Sequence, residues 1–206
     1  MGNEIDAALR WFESSLERWR TQIAQLAAGH VARMPRGHFA VGYRLIGNLQ
    51  QLNGARLLEA IRHATVRHTG WPEFWVPSRS EIAPYIQDGT IECWLPRDSQ
   101  AREAHHSDFW RVSPEGAAFL IRGLQEDNAP PERRIAPGTG FDITTPTWRI
   151  GEALLHAARL AAHLGDPQAR VALVAEWTGL RSRRLVHVDG TRMLSDTGLY
   201  SKTAPA

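Results

Sequence analysis

The apolar residues of this chain change their period several times along the sequence, which restricts it to folds that combine helices with a sheet. Residues 5–28 carry apolar side chains at three- and four-residue steps and are predicted to form an amphipathic helix. Two further helices are predicted, one capped by Asn53 and one that begins at Thr147. Strand-like alternation occurs at residues 39–46, 91–95, 109–112, 117–124, 171–177 and 185–188.

This order predicts an α+β fold with an antiparallel or mixed sheet of about six strands. Helices are expected to pack on one face of the sheet, and the amphipathic helix precedes it. The strand 185–188 is expected to pair with 171–177 across a turn. The chain is predicted to consist of an N-terminal helix and linker, a single α+β domain and a flexible C-terminal tail, at 1–34, 35–190 and 191–206.

Composition excludes several classes of protein. The 206 residues are 43% hydrophobic, which is enough for a core, yet nowhere do the roughly 18 consecutive apolar residues of a membrane span occur. A single cysteine, Cys93, excludes a disulfide framework and a cysteine-based zinc site. The N-terminus lacks the apolar region of a signal peptide. A cytoplasmic protein without membrane contact is therefore predicted.

The apolar stripe of residues 5–28 must be buried against something. Most amphipathic helices pack on their own domain. The stripe from Leu9 to Leu26 is nevertheless long for a helix that covers a domain of this size. We therefore also expect docking on a protein partner or on a second copy of the chain.

A concentration of aromatic residues follows the second helix. The segment 71–89 contains three prolines, which exclude a long helix and favour an ordered loop. Clustered indoles beside arginine and tyrosine suit a planar ligand or a stacked base, although they also suit a rigid core. The predicted ligand-binding residues are Trp71, Trp75, Arg79, Tyr85, Trp94, Trp110 and Arg111.

The third predicted helix carries Glu152, His156, Arg159 and His163 at steps of four, three and four. These residues share one side of the helix, and we predict a contact surface whose charge depends on pH. His156 and His163 are two turns apart, about 10 Å along the axis, and cannot bind the same metal ion.

Three other groups of residues contain side chains or glycines that are typical of catalytic or binding sites. His105, His106 and Asp108 resemble half of a metal site or a general-base pair, but no second ligand cluster accompanies them. The glycines of 137–142 lack the lysine of a phosphate-binding loop. Cys93 occupies a core-facing strand position, where thiols are usually inert. We therefore predict no metal and no cofactor.

Residues 67–72, 88–95, 106–111 and 148–155 occur in an order and spacing that resemble the C-terminal region of bacterial proteins with an N-terminal AlbA-like Schlafen domain. The similarity covers about residues 37–190. Those proteins are described as nucleic-acid-binding or ATP-binding regulators because of their Schlafen domain, which this sequence does not contain. The resemblance therefore implies a regulatory module, separately encoded or part of a longer polypeptide, without a nuclease or ATP site.

These patterns predict a non-catalytic sensor or protein-interaction module that regulates an associated effector in a bacterial regulatory or defence system. One alternative is a nucleic-acid-binding module, because both ends of the chain are basic and exposed tryptophans can stack on bases. Its phosphate contacts would come from Arg62, Arg67, Arg181, Arg183 and Arg184. A second alternative is a metal-dependent hydrolase built around His105, His106 and Asp108.

Overall fold

A computed structural model describes residues 2–68, 70–98, 103–128 and 135–186. Its three helices are α1 (Gly2–Ala24), α2 (Gly54–Ala64) and α3 (Thr145–His163). Its strands are β1 (His38–Ile46), β2 (Tyr85–Gln87), β3 (Thr90–Trp94), β4 (Phe109–Val112), β5 (Ala117–Gly123), β6 (Gly140–Asp142), β7 (Arg170–Trp177) and β8 (Arg184–Val186). The predicted tail at 191–206 lies outside the described residues.

The main sheet has six strands in the order β2-β3-β4-β5-β1-β7, and every neighbouring pair is antiparallel. The prediction of an α+β fold with an antiparallel sheet of about six strands is confirmed. The pairing predicted for 185–188 is wrong, because β8 instead pairs in parallel with β6 in a separate two-stranded sheet. Buried Arg183 binds Asp127 and the carbonyl of Gly140, and these contacts hold the segment after β7 beside β6.

Helices cover both faces of the sheet, so the prediction that they share one face is wrong. The central strands explain the difference, because β5 is buried along its whole length and carries apolar side chains on both sides. Phe119 and Ile121 point toward α1, whereas Ala118 and Leu120 belong to the core beneath α2 and α3.

Helix α1 packs on the domain's own sheet. Phe12, Leu16 and Trp19 are buried in one cluster with Phe109 and Phe119. The middle of the stripe predicted to dock on a partner is therefore already covered within the domain. At its N-terminal end, Ile5 and Leu9 remain exposed.

Local signals set several element boundaries. Asn53 caps α2 as predicted, because its side-chain oxygen accepts the backbone N–H of Arg56. The turn predicted at Ser113–Gly116 is closed by a 3.1 Å bond from Gly116 N to Ser113 O, and Gly116 has a positive φ. No helix among the described residues combines the length and the apolar character needed to cross a membrane.

Candidate functional site

The predicted aromatic pocket is divided between the two faces of the sheet. Trp110 is fully buried on the α3 side and donates its indole N–H to the carbonyl of Trp75. Trp94 belongs instead to the cluster beneath α1, and Trp71 and Trp75 pack on the opposite core. The predicted set therefore does not line one concave site, because successive residues of β3 and β4 point to opposite faces.

Two other members of that set attach α1 to the sheet. Glu92 is fully buried and accepts hydrogen bonds from Arg18, at 3.0 to 3.2 Å, while Arg111 lies 3.3 Å away. The Tyr85 hydroxyl accepts a bond from Gln22 of α1. Arg111 and Tyr85 therefore have structural roles here. Arg79 is exposed.

The predicted contact surface on α3 is also wrong in part. Arg159 and His163 are exposed, but Glu152 and His156 are 1% and 0% exposed. The exposed large apolar side chains of α3 are Trp148, Leu154 and Leu155. The side chains of Glu152 and His156 both have hydrogen-bond partners from outside α3: His68 N donates to Glu152, and the hydroxyl of Tyr43 in β1 is bonded to His156.

Two buried ion pairs occupy the space between α3, β5 and the loop after α2. Arg122 binds both carboxylate oxygens of Asp108, with a 2.7 Å bond from Nε, and both side chains are 1% exposed. Arg149 binds Glu152 at 3.0 Å. Charged pairs withdrawn from water are tolerated only when the remaining donors also find partners.

Backbone carbonyls of residues 71–76, which we call the tryptophan loop, provide those partners. Arg122 donates to the carbonyls of Trp71 and Pro72 at 3.0 and 2.8 Å, and Arg149 also donates to Trp71. The position of this loop therefore depends on the two buried arginines.

Glu73, in the same loop, carries a buried carboxyl group to which no described residue donates a hydrogen bond. Burial raises its pKa to about 8, although the positive charges of Arg149 and Arg122 oppose the shift. The next residue, Phe74, is buried with φ +52°, a conformation that bulky residues rarely adopt. The loop is thus held in a costly geometry around a protonated acid.

Beside the tryptophan loop, a short 3-10 turn, Ala104–His106, and the residue before it bring together three side chains that can ligate a metal ion. Ligand atoms of Glu103, His105 and His106 all lie within 4.8 Å of one another. A carboxylate oxygen of Glu103 is 3.0 Å from His106 Nδ1 and 3.7 Å from His105 Nε2. We refer to Glu103, His105 and His106 as the histidine triad.

The triad differs from the group predicted from the sequence. Asp108 does not join His105 and His106, because both of its oxygens bind Arg122. Glu103 takes its place. Burial lowers the pKa of His105 to about 4, so this imidazole is neutral at physiological pH. Asn128 lies 2.8 Å from His105 Nδ1 and fixes the ring.

Trp71 connects the triad with the buried ion pairs. Its ring lies 4.6 Å from that of His106 and 4.9 Å from that of Trp75. Its indole N–H donates to Asp108 at 3.3 Å, and its carbonyl accepts from Arg122 and Arg149. A movement of the His106 ring would therefore act directly on Trp71, whose carbonyl is bonded to Arg122 and Arg149.

The arginine set predicted for nucleic-acid binding is not intact. Arg183 is 2% exposed and binds both oxygens of Asp127. Arg62 pairs with Glu59, and Arg67 donates to the carbonyl of Gly70. Cys93 is buried and its thiol pKa is raised, which does not suit a nucleophile.

No protein-family model matches the chain, and comparison with curated proteins and with solved structures gave no match. The resemblance to the C-terminal region of AlbA-like Schlafen proteins stays a prediction.

Proposed function

We propose that this chain is a non-catalytic sensor module that binds a divalent transition-metal ion at the histidine triad. The observation that carries the proposal is the convergence of ligand atoms from Glu103, His105 and His106 within 4.8 Å. Two imidazoles and a carboxylate suit zinc and its neighbours in the first transition series better than magnesium or calcium, which prefer oxygen ligands.

The surroundings of the triad support metal uptake. His105 is neutral at physiological pH, so its ring carries a single proton, and Nε2 is open to an ion when that proton lies on Nδ1. The Asn128 amide nitrogen lies 2.8 Å from His105 Nδ1, and a half-turn of that amide would present its oxygen to Nδ1–H, as outer partners of metal-bound histidines commonly do. His106 and Glu103 are partly exposed, which leaves the ion a route from solvent.

The sensing step would pass through Trp71. Metal binding fixes the His106 ring, which contacts the Trp71 indole, and Trp71 in turn contacts Asp108, Arg122 and Arg149. Occupancy would therefore stabilise the tryptophan loop and change the surface that it offers to an associated effector. We place this activity in the bacterial cytoplasm, as the sequence predicts.

Calorimetric titration of chelator-treated protein with Zn²⁺ tests the binding step. We expect one ion per chain, and at least a tenfold weaker affinity in His106→Gln and in Glu103→Gln. His63→Gln is the matched control, because His63 is an exposed histidine paired with Glu59 on α2. Absence of zinc binding at about 100 μM metal, which corresponds to a binding free energy weaker than about 5.5 kcal/mol, would overturn the proposal. Equal zinc affinity in the parent and in His106→Gln would also overturn it.

Hydrogen exchange of the tryptophan loop tests the sensing step separately. We expect residues 71–76 to exchange more slowly with Zn²⁺ than without it, and the difference to disappear in Trp71→Phe. If zinc binds but exchange in this loop does not change, the metal site stands and its role as a sensor is wrong.

A further inference from the structure

Strand β7 ends the main sheet with a long unpaired edge. Its eight residues pair with β1 without interruption on one side, and no described strand pairs with the other. Its sequence, RVALVAEW, contains neither proline nor lysine, which commonly protect exposed edges. Such an edge offers a row of backbone donors and acceptors to another strand.

The register with β1 determines which residues have outward backbone groups. Phe39 is paired with Trp177, so His38 is opposite Thr178 in the same register. Thr178 N donates to His38 O, which makes this a hydrogen-bonded pair. Because bonded and non-bonded pairs alternate in an antiparallel ladder, residues 170, 172, 174 and 176 bond to β1. Residues 171, 173, 175 and 177 therefore direct their N–H and C=O groups away from the sheet.

We propose that a second copy of this chain pairs with that edge, antiparallel and two-fold symmetric, with Leu173 opposite Leu173 of the other copy. In this register Val171 faces Ala175 of the other copy, and all these residues have outward backbone groups. About six main-chain hydrogen bonds would join the copies into one continuous sheet.

The charged residues of β7 favour a second copy of the chain as the partner, and they favour this register. With Leu173 on the axis, Arg170 lies directly opposite Glu176 of the other copy, twice in the dimer. Residues 170 and 176 are on the same face of the sheet, where opposite charges stabilise a cross-strand pair. A shift by two residues in either direction separates the charges while keeping the backbone pairing. Within one chain, Arg170 contacts Glu4 and Glu176 contacts His38, so each pair would extend an existing contact at the edge.

The interface would be compact and apolar at its centre. Leu173 and Val171 contact the core on the α3 side, and Val174 contacts the cluster beneath α1, all three being only partly buried. Pairing would therefore cover apolar side chains on both faces of the edge strand. The proposal is independent of metal binding, because β7 contributes no residue to the histidine triad.

Sedimentation velocity of the full chain, with and without charge reversals, tests the proposal. We expect the parent to dimerise, and Arg170→Glu and Glu176→Arg each to dissociate at least tenfold more readily, because each places like charges opposite one another. An equimolar mixture of the two variants should form a heterodimer, since both cross-strand pairs then become attractive. Arg56→Glu, an exposed reversal on α2, should leave the dimer intact.

Three results would overturn the proposal. The first is a parent chain that remains monomeric at a protein concentration of about 50 μM. The second is a dimer that neither single reversal weakens, which would locate the interface elsewhere, for example at exposed Ile5 and Leu9 of α1. The third is a mixture of the two reversals that does not associate more strongly than either alone.

Discussion

Tyr43 and His156 are joined by a 2.7 Å hydrogen bond between the phenol oxygen and Nδ1, in the buried layer between β1 and α3. The imidazole of His156 also stacks on Phe74, with ring centres 4.2 Å apart. Burial disfavours the charged form and lowers the pKa of His156 to about 3. The folded chain therefore contains a neutral histidine that the unfolded chain would protonate below about pH 6.5.

The first prediction is that acid destabilises the fold through His156. Because the unfolded state binds the additional proton, the free energy of unfolding contributed by this group falls as pH falls from about 6.5 toward 3. Urea unfolding at pH 4.5 and 6.5 should show a smaller difference in His156→Gln than in the parent. His163→Gln, an exposed change on the same helix, should keep the parent's difference. A parent-like difference in His156→Gln would contradict the assignment.

The second prediction concerns Glu73 and has the opposite sign. Its folded pKa of about 8 lies above the usual carboxyl value, so the folded state binds the additional proton between about pH 4.5 and 8. The stability due to this proton is lost as pH rises through that range. From pH 5.5 to 7.5, the free energy of unfolding should fall by about 2 kcal/mol less in Glu73→Gln than in the parent.

Urea denaturation at both pH values measures this effect, and Glu115→Gln is the control. Glu115 is an exposed carboxyl group in the turn between β4 and β5. If Glu73→Gln declines with pH as steeply as the parent does, Glu73 is ionised in the folded chain and the prediction is wrong.

The third prediction is that the pair of Asp108 and Arg122 dominates the stability of the tryptophan loop. Arg122→Met leaves a buried carboxylate without its partner and should lower the free energy of unfolding by about 3–5 kcal/mol. Combining it with Asp108→Asn should cost less than the sum of the single changes, because the stranded charge is then removed. Arg62→Met, which breaks the exposed pair with Glu59, should cost about 0.5 kcal/mol or less. Additive effects at Asp108 and Arg122 would show that the pair is not coupled.

Elements with strong local signals were predictable from the sequence. The cap at Asn53 and the turn ending at Gly116 depend on single residues with known preferences. Strands β3, β4 and β5 follow apolar runs long enough to show a period. Strands β2 and β6 have three residues each, which is too short for any period to be visible.

The side of α3 that is buried was not predictable in the same way. Arg149, Glu152 and His156 follow helical spacing, and pattern analysis assigns such polar residues to solvent. Their partners come from distant parts of the chain, including the carbonyl of Trp71 and the hydroxyl of Tyr43. Only the three-dimensional arrangement shows that these polar side chains have partners and are therefore buried.

The histidine triad was only partly predictable. The adjacent histidines indicate a cluster of ligands, but the sequence favours Asp108 as their acidic partner, because nothing in it marks the pairing of Asp108 with Arg122. The sequence signal for the observed grouping is the spacing Glu-Ala-His-His, which begins at Glu103. A 3-10 turn brings residues i, i+2 and i+3 to one side closely enough for this grouping.

The fourth prediction tests how α1 is seated on the sheet. A Cβ atom added at Gly42, in the middle of β1, would lie 3.0 Å from the ring of Phe12 and 3.4 Å from the carbonyl of Ala118. Gly42→Val should therefore lower the free energy of unfolding by about 1–3 kcal/mol through overpacking. Gly151→Ala is the control, because a Cβ there meets nothing within 4 Å, and it should stabilise α3 by about 0.5–1 kcal/mol.

A double substitution identifies the cause of that loss. Phe12→Ala removes the ring that the new side chain meets, so Gly42→Val should cost less in the Phe12→Ala background than in the parent. The difference between the two costs, measured by urea unfolding, is the energy of the clash between β1 and α1. Equal costs in both backgrounds would show that the strain of Gly42→Val arises within the sheet, against Ala118 and its neighbours, and that α1 is not seated on Gly42.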